Sequence, residues 1–194
     1  FEFKKNQRLF HDCNNTAMGW ALPASIGACF ALNRKPITCV TGDGSLLMNI
    51  QELATIERHQ LPIKLFLDNN KGHSMVQQTQ DQWLKSKYYA TSVEGGLTSP
   101  DFSKIAEAHG ISTISISKNF EIDKAIKKVM NHDGPIFCDL LIKPEHRVIP
   151  QVKFGKPNED SEPLLPREEF IENMITQPMD ESTISELIST KDSD

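Results

Sequence analysis

The sequence predicts an α/β protein in three layers, with a parallel β-sheet between helices. Four short runs rich in β-branched residues, Ile37 to Thr41, Ile63 to Asp68, Ile111 to Ile116 and Ile136 to Ile142, alternate with segments of helical apolar spacing, the pattern of strand–helix–strand units. Leu65-Phe66-Leu67 and Ile136-Phe137 are continuously apolar, as strands covered on both faces must be. Gly42-Asp43-Gly44-Ser45 stands where the first strand stops and a helix begins, and it is the best-defined junction in the chain.

The elements follow in order. Leu46, Leu47, Ile50, Leu53, Ala54 and Ile56 predict one helix between Gly44 and Pro62. Ser99 as N-cap and Pro100 at the first helical position open a second, whose face is Phe102, Ile105, Ala106 and His109 and whose stop is Gly110. Behind Asn119, the residues Ile122, Ala125, Ile126, Val129 and Met130 repeat the spacing. Beyond Ile142, Pro144, Pro150, Pro157, Pro163 and Pro166 impose an extended arm, which a short helix around Arg167 to Ile175 follows. The expected organisation is a body over 1–143, an arm with its helix over 144–176, and an acidic, disordered tail over 177–194.

Composition narrows the function classes. A hydrophobic fraction of 38% with 24% charged residues is that of a soluble globular chain. The net charge is −5, and residues 177–194 carry −4 of it, so the body is near neutral. That argues against a nucleic-acid surface, which needs clustered Lys and Arg. Cys13, Cys29, Cys39 and Cys138 are scattered without zinc-site or disulfide spacing, which points to reduced thiols in a cytoplasmic protein. The uncharged stretch from Cys13 to Asn33 contains Gly19, Pro23 and Gly27 and fails as a membrane span, and no signal-peptide pattern is expected ahead of it. The chain begins with Phe1 in place of Met, so the expectation is one piece of a longer protein.

Parallel sheets place ligands at the carboxyl ends of their strands. At Gly42-Asp43-Gly44-Ser45 the glycines allow close backbone approach to a phosphate, and Asp43 can hold a divalent cation bridging to it. Alone, the motif fits a purely structural turn equally well. The third glycine of a dinucleotide fingerprint is missing, with Leu47 in its place, and so is the Lys of a P-loop. The next strand ends in Asp68-Asn69-Asn70-Lys71-Gly72, so a second set of oxygen ligands falls at the neighbouring carboxyl end. Asp43 and Asn70 are 27 positions apart, one βα unit plus a strand, as adjacent parallel strands require.

Gly42-Asp43-Gly44, followed after 25 residues by Asn70, resembles the cofactor motif of the thiamine diphosphate-dependent enzymes. Thr16 to Ala28 resembles the segment before that motif. Asn49 to Ile56, Ser74-Met75-Val76 and Pro163 to Phe170 resemble acetolactate synthases. The resemblance implies the family's carboxy-terminal domain, with a six-stranded parallel sheet. It implies Mg2+ held by the side-chain oxygens of Asp43 and Asn70 and the carbonyl of Gly72, and diphosphate held by the N–H groups of Gly44 and Ser45. It also implies a pyrimidine contact at the Thr16 carbonyl and a bent cofactor resting on Met18, with Met75 among the contacts. His73 faces either the cofactor or solvent.

The same resemblance implies decarboxylation of a 2-keto acid, pyruvate, with transfer of the two-carbon unit to a carbonyl acceptor. It further implies a homo-oligomeric parent, dimer or tetramer, and leaves FAD binding open. The family's catalytic glutamate matches no position here and is expected in an amino-terminal domain, so the isolated chain is expected to be inactive. Two departures stand out: Asn14-Asn15-Thr16 replaces a glycine-rich stretch, and Thr79 stands where acetolactate synthases carry a pocket tryptophan. A smaller, more polar pocket suits a different acceptor. Three other readings stay open: a simple 2-keto acid decarboxylase, a binding or regulatory module of the same fold, and an unrelated nucleotide-binding domain.

Overall fold

A computed structural model describes residues 2–12 and 15–179. Each β-branched run forms one strand: β1 (Ile37–Gly42), β2 (Ile63–Asn69), β3 (Ser112–Ile116) and β4 (Ile136–Leu141). All pair in parallel, in the order β1-β2-β4-β3. The sheet has four strands among the described residues, not the six the family resemblance implies. The sequence holds four runs with the β-branched density a strand needs, and each of them is used.

Among the described residues seven helices accompany the sheet: α1 (Ala21–Ala31), α2 (Asp43–Leu47), α3 (Leu53–His59), α4 (Ser74–Trp83), α5 (Phe102–Ala108), α6 (Ile122–Met130) and α7 (Arg167–Asn173). Alternation along β2 divides the core in two. Ile63, Leu65 and Leu67 pack with Leu22 and Ile26 of α1, Leu53 and Ile56 of α3, Phe102 of α5 and Phe137 of β4. On the other face Phe66 joins Ile116, Ile136 and Cys138 beneath Ala125 and Val129 of α6. Cys29, Cys39 and Cys138 are buried and free, and burial pushes the thiols of Cys39 and Cys138 up to about 11.

Two helical expectations are corrected, and two helices are new. The single helix expected between Gly44 and Pro62 is broken into α2, a 3-10 turn at Ile50–Glu52, and α3. The break falls at Asn49, whose φ of −151° is non-helical and whose side-chain amide donates to the Gly19 carbonyl, a bond to a distant segment that competes with helical geometry. The helix placed behind Ser99 and Pro100 begins instead at Phe102. Its N-cap is Asp101, whose carboxylate accepts from Lys104 N at 3.1 Å, a charged cap in place of a neutral one. Finally, α1 and α4 have no counterpart among the expected elements. The first lies in the uncharged stretch punctuated by Gly and Pro, and the second buries glutamines, which no apolar periodicity reveals.

Two compact units emerge: residues up to Ser74 with Tyr89–Glu145, and Met75–Tyr88 with the chain from His146 onward. The second unit is built on polar contacts. The Gln78 side chain, buried, accepts from Val148 N at 3.0 Å and donates to Val148 O at 2.9 Å, so a helix side chain pairs with the arm as a strand would. Arg147 Nε donates to Asp81 at 2.8 Å, Tyr88 donates to the same carboxylate, and Phe154 packs on Trp83 with ring centroids 4.2 Å apart. Gln151 and Glu162 form a small antiparallel bridge, and α7 is tied back by two Arg167–Asp160 bonds of 2.8 and 3.0 Å. Most of the tail expected over 177–194 lies outside the described residues.

Phe137 is fully buried on the central strand β4. Phe137→Ala is expected to lower unfolding stability by about 3–5 kcal/mol in a denaturant titration, and a loss under ~1 kcal/mol would contradict its place in the core. In the second unit, burial pushes the Asp81 carboxyl up, but hydrogen bonds from Tyr88, Arg147 and Ser86 outweigh it and hold the pKa below its ordinary value. A carboxyl lowered on folding contributes its full stability above the unfolded value of about 3.9 and loses it as pH falls through the folded value. Asp81→Asn should therefore flatten the acid limb of the stability curve below about pH 4. Identical acid limbs for variant and parent would count against it.

Candidate functional site

The register of β1 and β2 sets Gly42 opposite Asp68, so the turns leaving the two strands lie side by side at one end of the sheet. Asp43, at the start of α2, is buried. Its Oδ1 accepts from Gly44 N at 2.7 Å and its Oδ2 from Gly72 N at 3.1 Å. The same Gly72 N–H reaches Asn70 Oδ1 at 3.1 Å. One backbone donor thus gathers a carboxylate oxygen from the first turn and an amide oxygen from the second. From the other side the loop is fastened by His73 N donating to Thr91 O at 2.9 Å and by a bridge between Gly72 and Ser92.

Burial pushes the Asp43 carboxyl up, against hydrogen bonds from the N–H groups of Gly44, Gly72 and Lys71 and the nearby His73. The donor set, one carboxylate and one amide oxygen, fits a hard divalent cation. Magnesium is commonly held by one or two carboxylates and completed by phosphate oxygens and water. No group of three or more His, Cys, Asp or Glu capable of holding a metal by itself occurs among the described residues.

Three expected residues meet above the turn. A Cβ on Gly44 would meet the His73 imidazole and stand 3.0 Å from Met18 Cε, so a larger residue fits there only if those two side chains move. Met18 is 42% exposed, which disposes of a core-filling role, and it lies beside Gly44. The segment carrying Met18 is pinned to α2 at Gly19. Gly19 N donates to Ser45 Oγ at 2.8 Å. The position demands glycine, because its φ is +86° and a Cβ added to it would stand 2.8 Å from Met48 Cβ. Ser45 thus holds the Met18 loop through its hydroxyl, a role its expected backbone contact did not include.

The remaining expected residues fall as follows. Thr16 is exposed with φ +44°, and its N–H donates to Asp12 O at 3.0 Å. Met75 and Thr79 lie on α4 in the second unit, with Met75 64% exposed and the Thr79 hydroxyl donating to Met75 O at 3.3 Å. Asn14 lies outside the described residues. Two polar residues that sequence reasoning passed over hold the loops: Asn49, bonded to Gly19, and Asp139, which accepts from Asn69 Nδ2 at 2.9 Å. Asp139 was visible as the one charged residue of an otherwise apolar strand.

The family model for the thiamine pyrophosphate enzyme C-terminal TPP binding domain matches residues 1–140. The acetolactate synthase large subunit of Pyropia yezoensis is 36% identical over 141 residues, covering 73% of this chain and 24% of that protein. Acetolactate synthase isozyme 2 large subunit of Escherichia coli is 36% identical over 143 residues, 74% of this chain and 26% of its own. Chloroplastic acetolactate synthase 1 of Zea mays is 33% identical over 159 residues, 80% of this chain and 25% of its own. The chain spans about a quarter of the length of the acetolactate synthases it matches. Among solved structures, the thiamine diphosphate-dependent 4-hydroxybenzoylformate decarboxylase of Rhodococcus jostii superposes with a TM-score of 0.58 at 21% identity, over 65% of this chain and 23% of that one. That likeness concerns the fold alone.

Gly44→Ala is expected to push the His73 ring and the Met18 methyl aside, at a cost of about 1–3 kcal/mol from overpacking. Gly42→Ala is the control, because a Cβ there meets nothing within 4 Å. The His73 imidazole proton resonance should move in the first variant and stay in the second. Equal spectra for the two would refute the contact.

Proposed function

The chain belongs to the thiamine pyrophosphate enzymes, as their carboxy-terminal cofactor-binding domain, and on that premise we propose that it serves an acetolactate synthase-like reaction. A 2-keto acid, pyruvate, is decarboxylated and the two-carbon unit is passed to a carbonyl acceptor. The observation that carries the reading is the Gly72 N–H drawing together the Asp43 carboxylate and the Asn70 amide oxygen. A regulatory module that had given up the cofactor would not require these ligands. The similarity to three acetolactate synthases from separate lineages supports the reaction class.

Thiamine diphosphate, when bound, supplies the nucleophilic carbon and the electron sink for decarboxylation. In the proposal this chain binds and orients. Asp43 and Asn70, with the Gly72 carbonyl, hold Mg2+. The N–H groups of Gly44 and Ser45 take the diphosphate, where Gly44 N now donates to the Asp43 side chain. The Thr16 carbonyl accepts from the pyrimidine amino group, Met18 supports the ring system, and His73 borders the same space. The family resemblance adds Met75 as a cofactor contact and Thr79, in place of a bulky aromatic, as a determinant of the acceptor. The glutamate of the family's chemistry, a homo-oligomeric assembly, a cytoplasmic setting and any FAD belong to the proposed full-length enzyme, and the 194-residue chain alone is expected to give no turnover.

The test is the full-length protein with pyruvate, thiamine diphosphate and Mg2+, following carbon dioxide release and identifying the product. Acetolactate is expected, with Asp43→Ala reducing it more than about a hundredfold through lost cation binding. Release without acetolactate would make the enzyme a simple decarboxylase, and release only with another acceptor a different carboligase. Cofactor binding without release from any 2-keto acid would leave a binding module.

A further inference from the structure

Asn69 and Asp139 are each 5% exposed and lie on the same face of the sheet, at the carboxyl ends of the neighbouring strands β2 and β4. Asn69 Nδ2 donates to Asp139 Oδ1 at 2.9 Å, while Asn69 Oδ1 accepts from Lys71 N at 3.3 Å. Ser103 Oγ, from α5, approaches Asp139 Oδ2 at 3.4 Å. An ionised carboxylate only accepts, so it selects the nitrogen end of the Asn69 amide and leaves the oxygen end for Lys71. Lys71 sits at φ +55°, a left-handed conformation that a β-region loop does not hold without fastening. The next N–H in the chain is that of Gly72, which gathers Asp43 and Asn70.

A carboxylate on the inner face of a strand that otherwise reads Ile136-Phe137-Cys138 costs desolvation, which a residue kept only for packing would avoid. We propose that Asp139 is a positioning residue for the cation site, acting through the Asn69 amide to fix the turn that presents Asn70 and Gly72. The inference rests on the proposed cation and cofactor binding by these residues. Its consequence is that cation affinity depends on a side chain two strands from Asp43 that makes no bond to any proposed ligand.

The experiment measures Mn2+ binding to the full-length protein in the presence of thiamine diphosphate, by the electron paramagnetic resonance signal of free Mn2+. Alongside it, hydrogen exchange of the 70–73 segment is followed with no cation present. Asp139→Ala is expected to weaken Mn2+ about tenfold or more and to speed exchange in that segment. Asp139→Asn, whose amide oxygen still accepts from Asn69 and whose nitrogen can donate to Ser103, should stay within about threefold of the parent. Parent-like affinity and exchange in a folded Asp139→Ala overturn the inference. So does an Asp139→Asn as weak as Asp139→Ala, which would mean that charge and not hydrogen-bond geometry matters. If Asp139→Ala does not fold, Asn69→Ala cuts the same link and decides by the same criteria. A parent that binds no Mn2+ with the cofactor, and does not differ from Asp43→Ala, overturns the proposed function along with the inference.

Discussion

The parallel pairing of β1 with β2 is the constraint on which the site depends. Its register places Gly42 against Asp68, so two turns distant in sequence leave the sheet together. Each turn alone is weakly determined: Asp43 begins a helix of five residues, and Asn70 stands in a loop with Lys71 at positive φ. Joined through the Gly72 N–H, they become a single cradle of oxygen atoms. The pairing goes with burial of β2 on both faces, Leu65 and Leu67 in one core and Phe66 in the other, which places the strand inside the sheet between β1 and β4.

Buried polar side chains do much of the joining that apolar packing does elsewhere. Lys64, 2% exposed in β2, donates to Gly134 O at 2.8 Å and to His132 O, tying the end of the α6 connection to the middle of the sheet. In the second unit Gln78 pairs with both polar groups of Val148. At the site Asn49 and Ser45 clamp Gly19 to α2. Each of these bonds satisfies a backbone group outside the named strands and helices, which is where buried amides and ammonium groups offset the cost of their own desolvation.

This pattern explains what was legible in the sequence. Strands were found to within a residue or two, because β-branched density is a local property. The α5 and α6 helices were found by spacing, although the α5 cap fell on Asp101 in place of Ser99. The α4 helix escaped, since its buried face is Gln77, Gln78 and Gln80; a distant segment brings Gln77 and Gln78 the polar partners that let them be buried. The break at Asn49 escaped for the same reason, its competitor being Gly19, which lies 30 residues earlier. The strand count of six came from family likeness, and the chain's own four runs were the better guide.

By itself, then, the sequence determined the fold class, the four strands, the adjacency of β1 and β2, and the pairing of Asp43 with Asn70. Each of these follows from composition or spacing along the chain, where the period of a helix or strand and the length of a βα unit leave a readable mark. Only the tertiary structure decided that His73 and Met18 meet over Gly44, that Ser45 works through its hydroxyl, and that Asp139 lies behind Asn69. Those contacts join residues from 26 to 70 positions apart. Such contacts arise from strand order and side-chain direction, which local pattern does not encode.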